Sequence, residues 1–223
     1  MSSQNPVLDS PGACGKTSLL CSFALGEFPK EYIAAHLDAR LPNLIAIFEN
    51  YVAEIRLDGK AVQLALWDTA GQEEYERLRP LSYSKSHVIL IAFAIDTPGL
   101  AGERHSQGMA PAWIEEVRSI CGPIIPIILV GCKADLRPPS NDPNIDRYVS
   151  RAEAERVAQA IGARAYKECS ALRIEGVDDV FEAATRASML MREGVSGATH
   201  TRRRSSVSGD RDATHGGRCC VIC

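Results

Sequence analysis

No run of about 18 or more apolar residues, the length a membrane-spanning helix needs, occurs in the 223 residues. Nor does the amino terminus carry an apolar signal core, so the chain is expected to be neither secreted nor membrane-spanning. Strong charge of one sign is also missing. Lys and Arg number 25 against 28 Asp and Glu, a net charge of −3, which gives no reason to expect nucleic acid or an acidic substrate. Paired cysteines are lacking as well. Of eight cysteines, Cys14, Cys21, Cys121, Cys132 and Cys169 stand singly among apolar neighbours, which fits a reduced, cytosolic chain rather than a disulfide framework. Cys219, Cys220 and Cys223 crowd the carboxyl terminus. There is no internal repeat. With 45% apolar residues, the length allows one α/β domain and a tail.

What is present alternates. "YVAEIRL" and "AVQLALWD" flank Asp58-Gly59, a two-residue hairpin signal. "HVILIAFAID" (87–96) and "PIIPIILVGCK" (123–133) are near-continuous apolar runs of the kind buried parallel strands show, and "RAYKECSA" (164–171) reads as one more strand. Helical spacing marks 16–25, 110–121, 151–161 and 177–192, the last with Val177, Val180, Phe181 and Ala184 on one face. This order predicts a doubly wound, mostly parallel sheet with one antiparallel hairpin, and a ligand site at the carboxyl ends of its strands. Residues 136–149 are rich in Pro, Asn and Asp and read as a surface insertion. From about Gly194 the composition turns to Ser, Thr, Gly, Arg and His and predicts a disordered tail, giving a domain over 1–193 and a tail over 194–223.

Four short stretches carry chemistry. "GACGKTS" (12–18) is close to a phosphate-binding loop, although Ser10 and Pro11 stand where the pattern G-x-x-x-x-G-K-[ST] begins with glycine. Backbone N–H groups from Ala13 through Cys14, Gly15, Lys16 and Thr17 to the helix start at Ser18 would surround a phosphate. Lys16 would reach the outer phosphates, and the Thr17 hydroxyl would bind Mg²⁺. A polar loop opening an ordinary helix would look the same, so this stretch alone decides little. In "LWDTAGQEEYERLRPLSY" (66–83), Asp68 ends an apolar strand where it would hold the metal through water. Gly71 offers a backbone N–H to a terminal phosphate, and Gln72 has the donor and acceptor needed to orient an attacking water. In "GCKADL" (131–136), Asp135 would accept two hydrogen bonds from a guanine edge while the stem of Lys133 lies over the base. In "ECSAL" (168–172), Ser170 and Ala171 would meet the base from the other side. Each stretch alone is a commonplace turn; four in this order, each after a strand, are not.

These stretches resemble the small GTPases of the Ras superfamily. "FENYV", "WDTAGQEEYERLRPLSY", "GCKADLR" and the 136–149 insertion resemble the Rho family in particular, most like fungal Rho proteins of the cell-wall and polarity type. The resemblance covers roughly 11–32, 48–98, 112–192 and the last few residues. It implies a Ras-like fold of six strands and a Mg²⁺-dependent GTP/GDP switch. It implies, as partners, exchange factors, GTPase-activating proteins, a dissociation inhibitor and effectors such as kinases or cell-wall synthesis regulators. By position, Gly12 keeps the hydrolytic site uncrowded, Phe28 packs edge-on to guanine, and Cys132 stands where most Ras-like chains have Asn. Phe48, Glu49, Asn50 and Tyr51, with Tyr75, Arg77 and Leu78, fall on effector and switch positions. Gln72, Lys16 and Gly12 fall on the catalytic ones. No arginine is an obvious finger in cis, so intrinsic turnover is expected to be slow, on the order of 10⁻⁴ to 10⁻² per second.

Three segments depart from the family pattern. Residues 1–11 lack the apolar first strand, which is expected to be missing or stunted, with Pro6 and Pro11 each removing a donor. Residues 33–47 form an insertion in switch I without any Ser or Thr, whereas the family places there the threonine that senses the γ-phosphate. Residues 99–112 replace a short helix start. Each departure is abrupt and the pattern resumes at full strength after it, as segments mis-joined at exon boundaries of a functional Rho gene would produce. The alternative from another functional class is a non-switching binding module that presents "FENYV" and 72–83 to Rho partners. At the carboxyl end, Cys220-Val221-Ile222-Cys223 fits C-a-a-X, which predicts prenylation at Cys220. Cys219 beside it is a palmitoylation candidate, and Arg202–Arg204 form a basic patch. The expected location is the cytoplasmic face of the plasma membrane, with a cytosolic pool.

Overall fold

The computed structural model describes residues 14–29, 48–69, 83, 86–97, 109–197 and 218–222. Helix α1 (Lys16–Leu25) opens the described chain and stops at Gly26, whose φ of 72° lets its N–H reach the Ser22 carbonyl at 3.1 Å. Strands β1 (Phe48–Leu57) and β2 (Lys60–Thr69) form the expected antiparallel hairpin. Asp58 (φ 50°) and Gly59 (φ 75°) both take the left-handed conformation that a two-residue turn between twisted strands requires. Strands β3 (Val88–Ala94), β4 (Ile127–Cys132) and β5 (Ala165–Glu168) follow in parallel, separated by helices α2 (Met109–Cys121) and α3 (Arg151–Ala160). Helix α4 (Val177–Gly197) comes next, and strand β6 (Arg218–Ile222) closes the chain's described part. The sheet order is β1-β2-β6-β3-β4-β5.

Two cores lie on the two faces of this sheet. In β3, Ile89, Ile91 and Phe93 point to the side covered by α2 and α3, where they meet Ile114, Val117, Ala154 and Val157. Val88 and Leu90 point to the other side and join Leu19, Leu20, Val180 and Phe181 of α1 and α4. The alternation of strand side chains persists inside the continuous apolar runs because both faces are covered. Phe23 and Phe181 stack with ring centroids 3.8 Å apart and pin α1 to α4. Ser150 caps α3, its hydroxyl accepting from the Glu153 N–H at 3.1 Å.

One expectation needs correcting. The sequence reading puts 194–223 in a disordered tail, but α4 runs on to Gly197 and residues 218–222 form a central strand. β6 lies parallel to both neighbours, in register from Leu64↔Arg218 to Asp68↔Ile222 on one side and from Val88↔Cys220 to Leu90↔Ile222 on the other. Among the described residues the sheet has six strands, one of them supplied from the carboxyl end, while the segment expected to hold a missing or stunted first strand, 1–11, lies outside them. The physical reason is non-local. β2 and β3 each bond to β6 and not to one another. An empty place between them would leave buried N–H and C=O groups without partners, at about 1–3 kcal/mol each. Cys-Cys-Val-Ile is a short apolar run able to fill it.

Candidate functional site

The carboxyl ends of β2, β3, β4 and β5 lie at one end of the sheet, and the amino terminus of α1 opens there. Gly15 is the helix's N-cap at φ 102°, a conformation that favours glycine. α1 has no acidic residue in its first turn and no side-chain cap at Gly15, an arrangement that suits an incoming anion. Lys16 is buried, with its Nζ 3.8 Å from Cys14 Sγ, and Ser18 is half-buried in the first turn.

Thr17 Oγ1 donates to Asp68 Oδ2 at 2.5 Å, joining helix to sheet. The meeting follows from strand periodicity. Val62, Leu64, Leu66 and Asp68 are the buried positions of one face of β2, and Leu64 and Leu66 pack in the same core as Leu19 and Leu20 of α1. Asp68 is thus carried to the side of the sheet that α1 covers. A hydroxyl and a carboxylate, both hard oxygen donors from two rigid elements, fit a small divalent cation such as Mg²⁺ that keeps waters and phosphate oxygens in its other positions.

The base side is more heavily tied. Residues 134–136 form a single 3₁₀ turn after β4, entered through Lys133 at φ 60°. Ser170 is buried, and its Oγ donates to Asp135 Oδ1 at 2.6 Å while accepting from the Arg173 N–H at 3.1 Å. Backbone bonds from Ala134 N to Cys169 O (3.0 Å) and from Cys169 N to Gly131 O (2.9 Å) hold the two loops together. Ser22 Oγ donates to the Ala171 carbonyl at 3.1 Å and ties the 170–176 loop to α1. Beneath them, Arg137 makes a two-pronged bond to Glu168 (2.7 and 2.8 Å) and a third to the Val149 carbonyl, and Tyr166 Oη donates to Glu168 Oε1 at 2.7 Å. Burial by itself would raise the Glu168 carboxyl, but the bonds from Arg137 and Tyr166 outweigh it and hold the group below its ordinary value.

Several contributors escape the sequence reading. Asp96, two residues past β3, lies 3.6 Å from the Lys133 ammonium and draws that side chain across the loop. An acidic residue at the end of an apolar strand is the only sequence signal for it. Arg137, Tyr166 and Glu168 carry no local signal, because the ion pair joins residues 31 apart. Cys132 lies behind the phosphate loop, its Cβ 3.6 Å from where a Cβ on Gly15 would be. A hydrogen bond with Cys169, and then burial, push the Cys132 thiol well up, and burial chiefly raises Cys14. These thiols are neutral packing groups rather than nucleophiles.

The structure thus brings together Cys14, Gly15, Lys16, Thr17, Ser18 and Asp68 as one group, and Lys133, Asp135, Ser170 and Ala171 as another. Phe28 follows α1 and is 36% exposed. Tyr51 Oη lies 3.5 Å from Cys21 Sγ, so this switch-side tyrosine turns toward α1, while Val52 beside it is 66% exposed. Phe48, Glu49 and Asn50 begin β1; Cys219 and Cys220 lie in β6. Gly12, Ala13, Gly71, Gln72, Tyr75, Arg77 and Leu78, with residues 33–47, lie outside the described residues. Among the described residues no helix is long and apolar enough to cross a membrane.

The Ras family model matches residues 7–190. The chain is 50% identical to GTP-binding protein rho2 of Schizosaccharomyces pombe over 224 aligned positions, 97% of this chain and 94% of the relative. It is 50% identical to GTP-binding protein rho1 of the same organism, over 82% of this chain and 85% of the relative. Against GTP-binding protein RHO1 of Saccharomyces cerevisiae it is 46% identical, over 86% of each.

Proposed function

Because the chain belongs to the Ras family, among its Rho-type GTPases, we propose that it is a Mg²⁺-dependent GTP/GDP switch anchored to the cytoplasmic face of the plasma membrane. The observation that carries this reading is the pairing of two clasps at one end of one sheet. Thr17 with Asp68 makes the phosphate end, and Asp135 with Ser170 makes the base end.

In this reading the guanine edge donates its two N–H groups to Asp135, which Ser170 holds in place through the hydrogen bond it already makes. The stem of Lys133 covers the ring while Asp96 restrains its ammonium. The first-turn amides of α1 and Lys16 take the phosphates, and Thr17 and Asp68 hold the cation. When bound, Mg²⁺ neutralises charge on the phosphate oxygens. Gln72 orients the attacking water, Gly71 offers an N–H to the γ-phosphate, and Gly12 leaves the space the water needs. Lys16 and the loop amides stabilise charge as it moves onto the leaving oxygens. Prenylation of Cys220, with Cys219 and Arg202–Arg204 as the second signal, supplies the anchor. Exchange factors, activating proteins, a dissociation inhibitor and effectors acting on actin polarity and cell-wall synthesis are the partners.

A second reading rests on one observation: 33–47 has no Ser or Thr to sense a γ-phosphate. On it, the chain is a non-switching binding module that presents "FENYV" and 72–83 to Rho partners, with nucleotide or without. Both are tested by binding fluorescent GDP and a GTP analogue to the purified full chain, with Mg²⁺ and with EDTA. The switch predicts tight binding of both, loosened by EDTA, and a different response of the two forms to effectors. Binding indifferent to Mg²⁺ and to the γ-phosphate, or no binding at all, would remove the switch and leave the non-switching module.

A further inference from the structure

The last five described residues hold the middle of the sheet and carry the cysteine read above as the lipid acceptor. β6 pairs on one side with Leu64–Asp68 and on the other with Val88–Leu90. Cys220, Val221 and Ile222 have a strand on each side, so their backbone N–H groups face one neighbour or the other, while Arg218 and Cys219 are registered with β2 alone. From this placement we propose that the cleft between β2 and β3 is a strand-acceptor site for an extended apolar peptide. Its occupant is the chain's own carboxyl-terminal segment, which withholds Cys220 from lipidation for as long as it is seated. The lipid part of this proposal rests on the reading of Cys220 as the acceptor; the strand-acceptor part does not.

Twenty residues, 198–217, connect Gly197 of α4 to Arg218. That length spans up to about 66 Å when extended, at about 3.3 Å per residue. A tether of this size gives an effective concentration in the millimolar range, so seating in cis outcompetes a second copy at ordinary protein concentrations. The occupant matches the site: Cys219, Cys220, Val221 and Ile222 carry no charge and suit a place between two buried parallel strands.

Lipid transfer forms a thioether between Cys220 Sγ and the first carbon of an isoprenoid diphosphate. Diphosphate leaves and the thiol proton goes to solvent. A transferase must enclose the thiol and the three residues after it, and it cannot do so while Cys220 is paired with Leu66 and Val88. The two states exclude each other. Removal of Val221, Ile222 and Cys223 after transfer makes the exclusion permanent, because it deletes the partners of Trp67, Asp68, Ile89 and Leu90. Seating also reaches the nucleotide site, since Ile222 is the sheet partner of Asp68.

The test compares the full-length chain with a synthetic peptide of residues 212–223. Hydrogen exchange is read at amides 219–222, and isoprenoid transfer to Cys220 is read with purified prenyltransferases. Seating predicts exchange at least about 100-fold slower in the chain than in the peptide, and transfer at least about tenfold slower. Cys219→Pro lies outside the C-a-a-X box and removes one strand donor; it is expected to bring transfer close to the peptide's rate. Amides 219–222 exchanging as fast as in the peptide overturn the proposal, and this readout needs no variant to fold. Equal transfer to chain and peptide also overturns it. A peptide that no prenyltransferase modifies, beside a chain with protected amides, retains the strand-acceptor site and removes only the lipid-acceptor reading.

Discussion

The two ends of the candidate nucleotide site are held in different ways. At the base end Asp135 bonds to Ser170, Arg137 and Tyr166 bond to Glu168, and Arg137 and Ser170 also bond to loop backbone, while Arg137 Nε and Asp96 Oδ1 are buried without a hydrogen-bond partner among the described residues. At the phosphate end the short Thr17–Asp68 bond crosses from helix to sheet, and α1 opens on a glycine with no side-chain cap. The base end is preorganised by the chain, so ligand specificity is built in before binding. The phosphate end presents the helix dipole and the Lys16 ammonium, both suited to an anionic ligand. Substitutions at the base end should therefore cost stability and binding together, and they rank by how much of that closure they undo.

The largest effect is expected from Asp135→Asn. The substitution turns one of the two acceptors that the proposed function assigns to the guanine edge into a donor, and it removes the charge from the bond with Ser170. Two bonds to a charged group at about 2 kcal/mol each correspond to a loss of about a thousandfold in GDP affinity. Titration with fluorescent GDP, and with a xanthine nucleotide whose edge offers the complementary group, would show whether the loss is one of hydrogen-bond matching. Equal weakening for both bases would break the comparison, because it would mean the base end had collapsed rather than changed its preference.

Gly176→Ala is expected next. Gly176 sits at φ 69° at the start of α4, and a Cβ there would run into the Glu168 backbone carbonyl, which cannot swing aside. The loop from Ser170 to Glu175, closed by its own pair of backbone bonds at 2.9 and 3.1 Å, would have to shift. The expected cost is about 2–4 kcal/mol of stability, read by denaturant unfolding, with GDP affinity falling alongside.

Most of this architecture is legible in the sequence because it is local. Gly15-Lys16-Thr17 and the spacing after it mark α1 at 16–25, the same bounds as the helix observed. Asp58-Gly59 marks the hairpin, and the apolar runs mark β3 and β4 within a few residues. Asp68, Asp135 and Ser170 are legible because each lies at or just past the end of a strand. β6 is not, because nothing in "GGRCCVIC" says which sheet has a vacancy; only β2 and β3, more than a hundred residues earlier, do. The support under the site is illegible for a related reason. Arg137 reads as part of a polar insertion, and only the folded pairing of β4 with β5 brings Glu168 beneath it.

Glu168→Gln tests that support with a pH signature. Folding holds the Glu168 carboxyl below its ordinary value, so the unfolded chain binds its proton first as pH falls. The contribution is fully present above the unfolded value, near 4.5, and is lost as pH drops through the lower folded value. The glutamine variant should therefore be less stable than the parent at pH 7, by about 1–3 kcal/mol. The gap should narrow below about pH 4, where the unfolded parent binds a proton at Glu168 before the folded one does. A gap constant from pH 7 to pH 3 would mean that shape rather than charge holds Arg137 in place.

The smallest effect is expected where the chemistry is the same and the setting is not. Arg186 also grips a carboxylate with two nitrogens, Asp58 in the hairpin turn, at 2.9 and 3.0 Å. These side chains are 48% and 66% exposed, against 22% and 12% for Arg137 and Glu168. Water screens the outer pair and competes for its hydrogen bonds, and holding two long side chains in one geometry costs rotamer freedom. Arg186→Ala should leave the melting temperature within measurement scatter at 0.15 M salt, while Arg137→Ala lowers it clearly and weakens GDP binding with it. If the two alanine variants lost the same stability, bidentate geometry alone would set the strength of these pairs. The closure of the base end would then owe nothing to its burial.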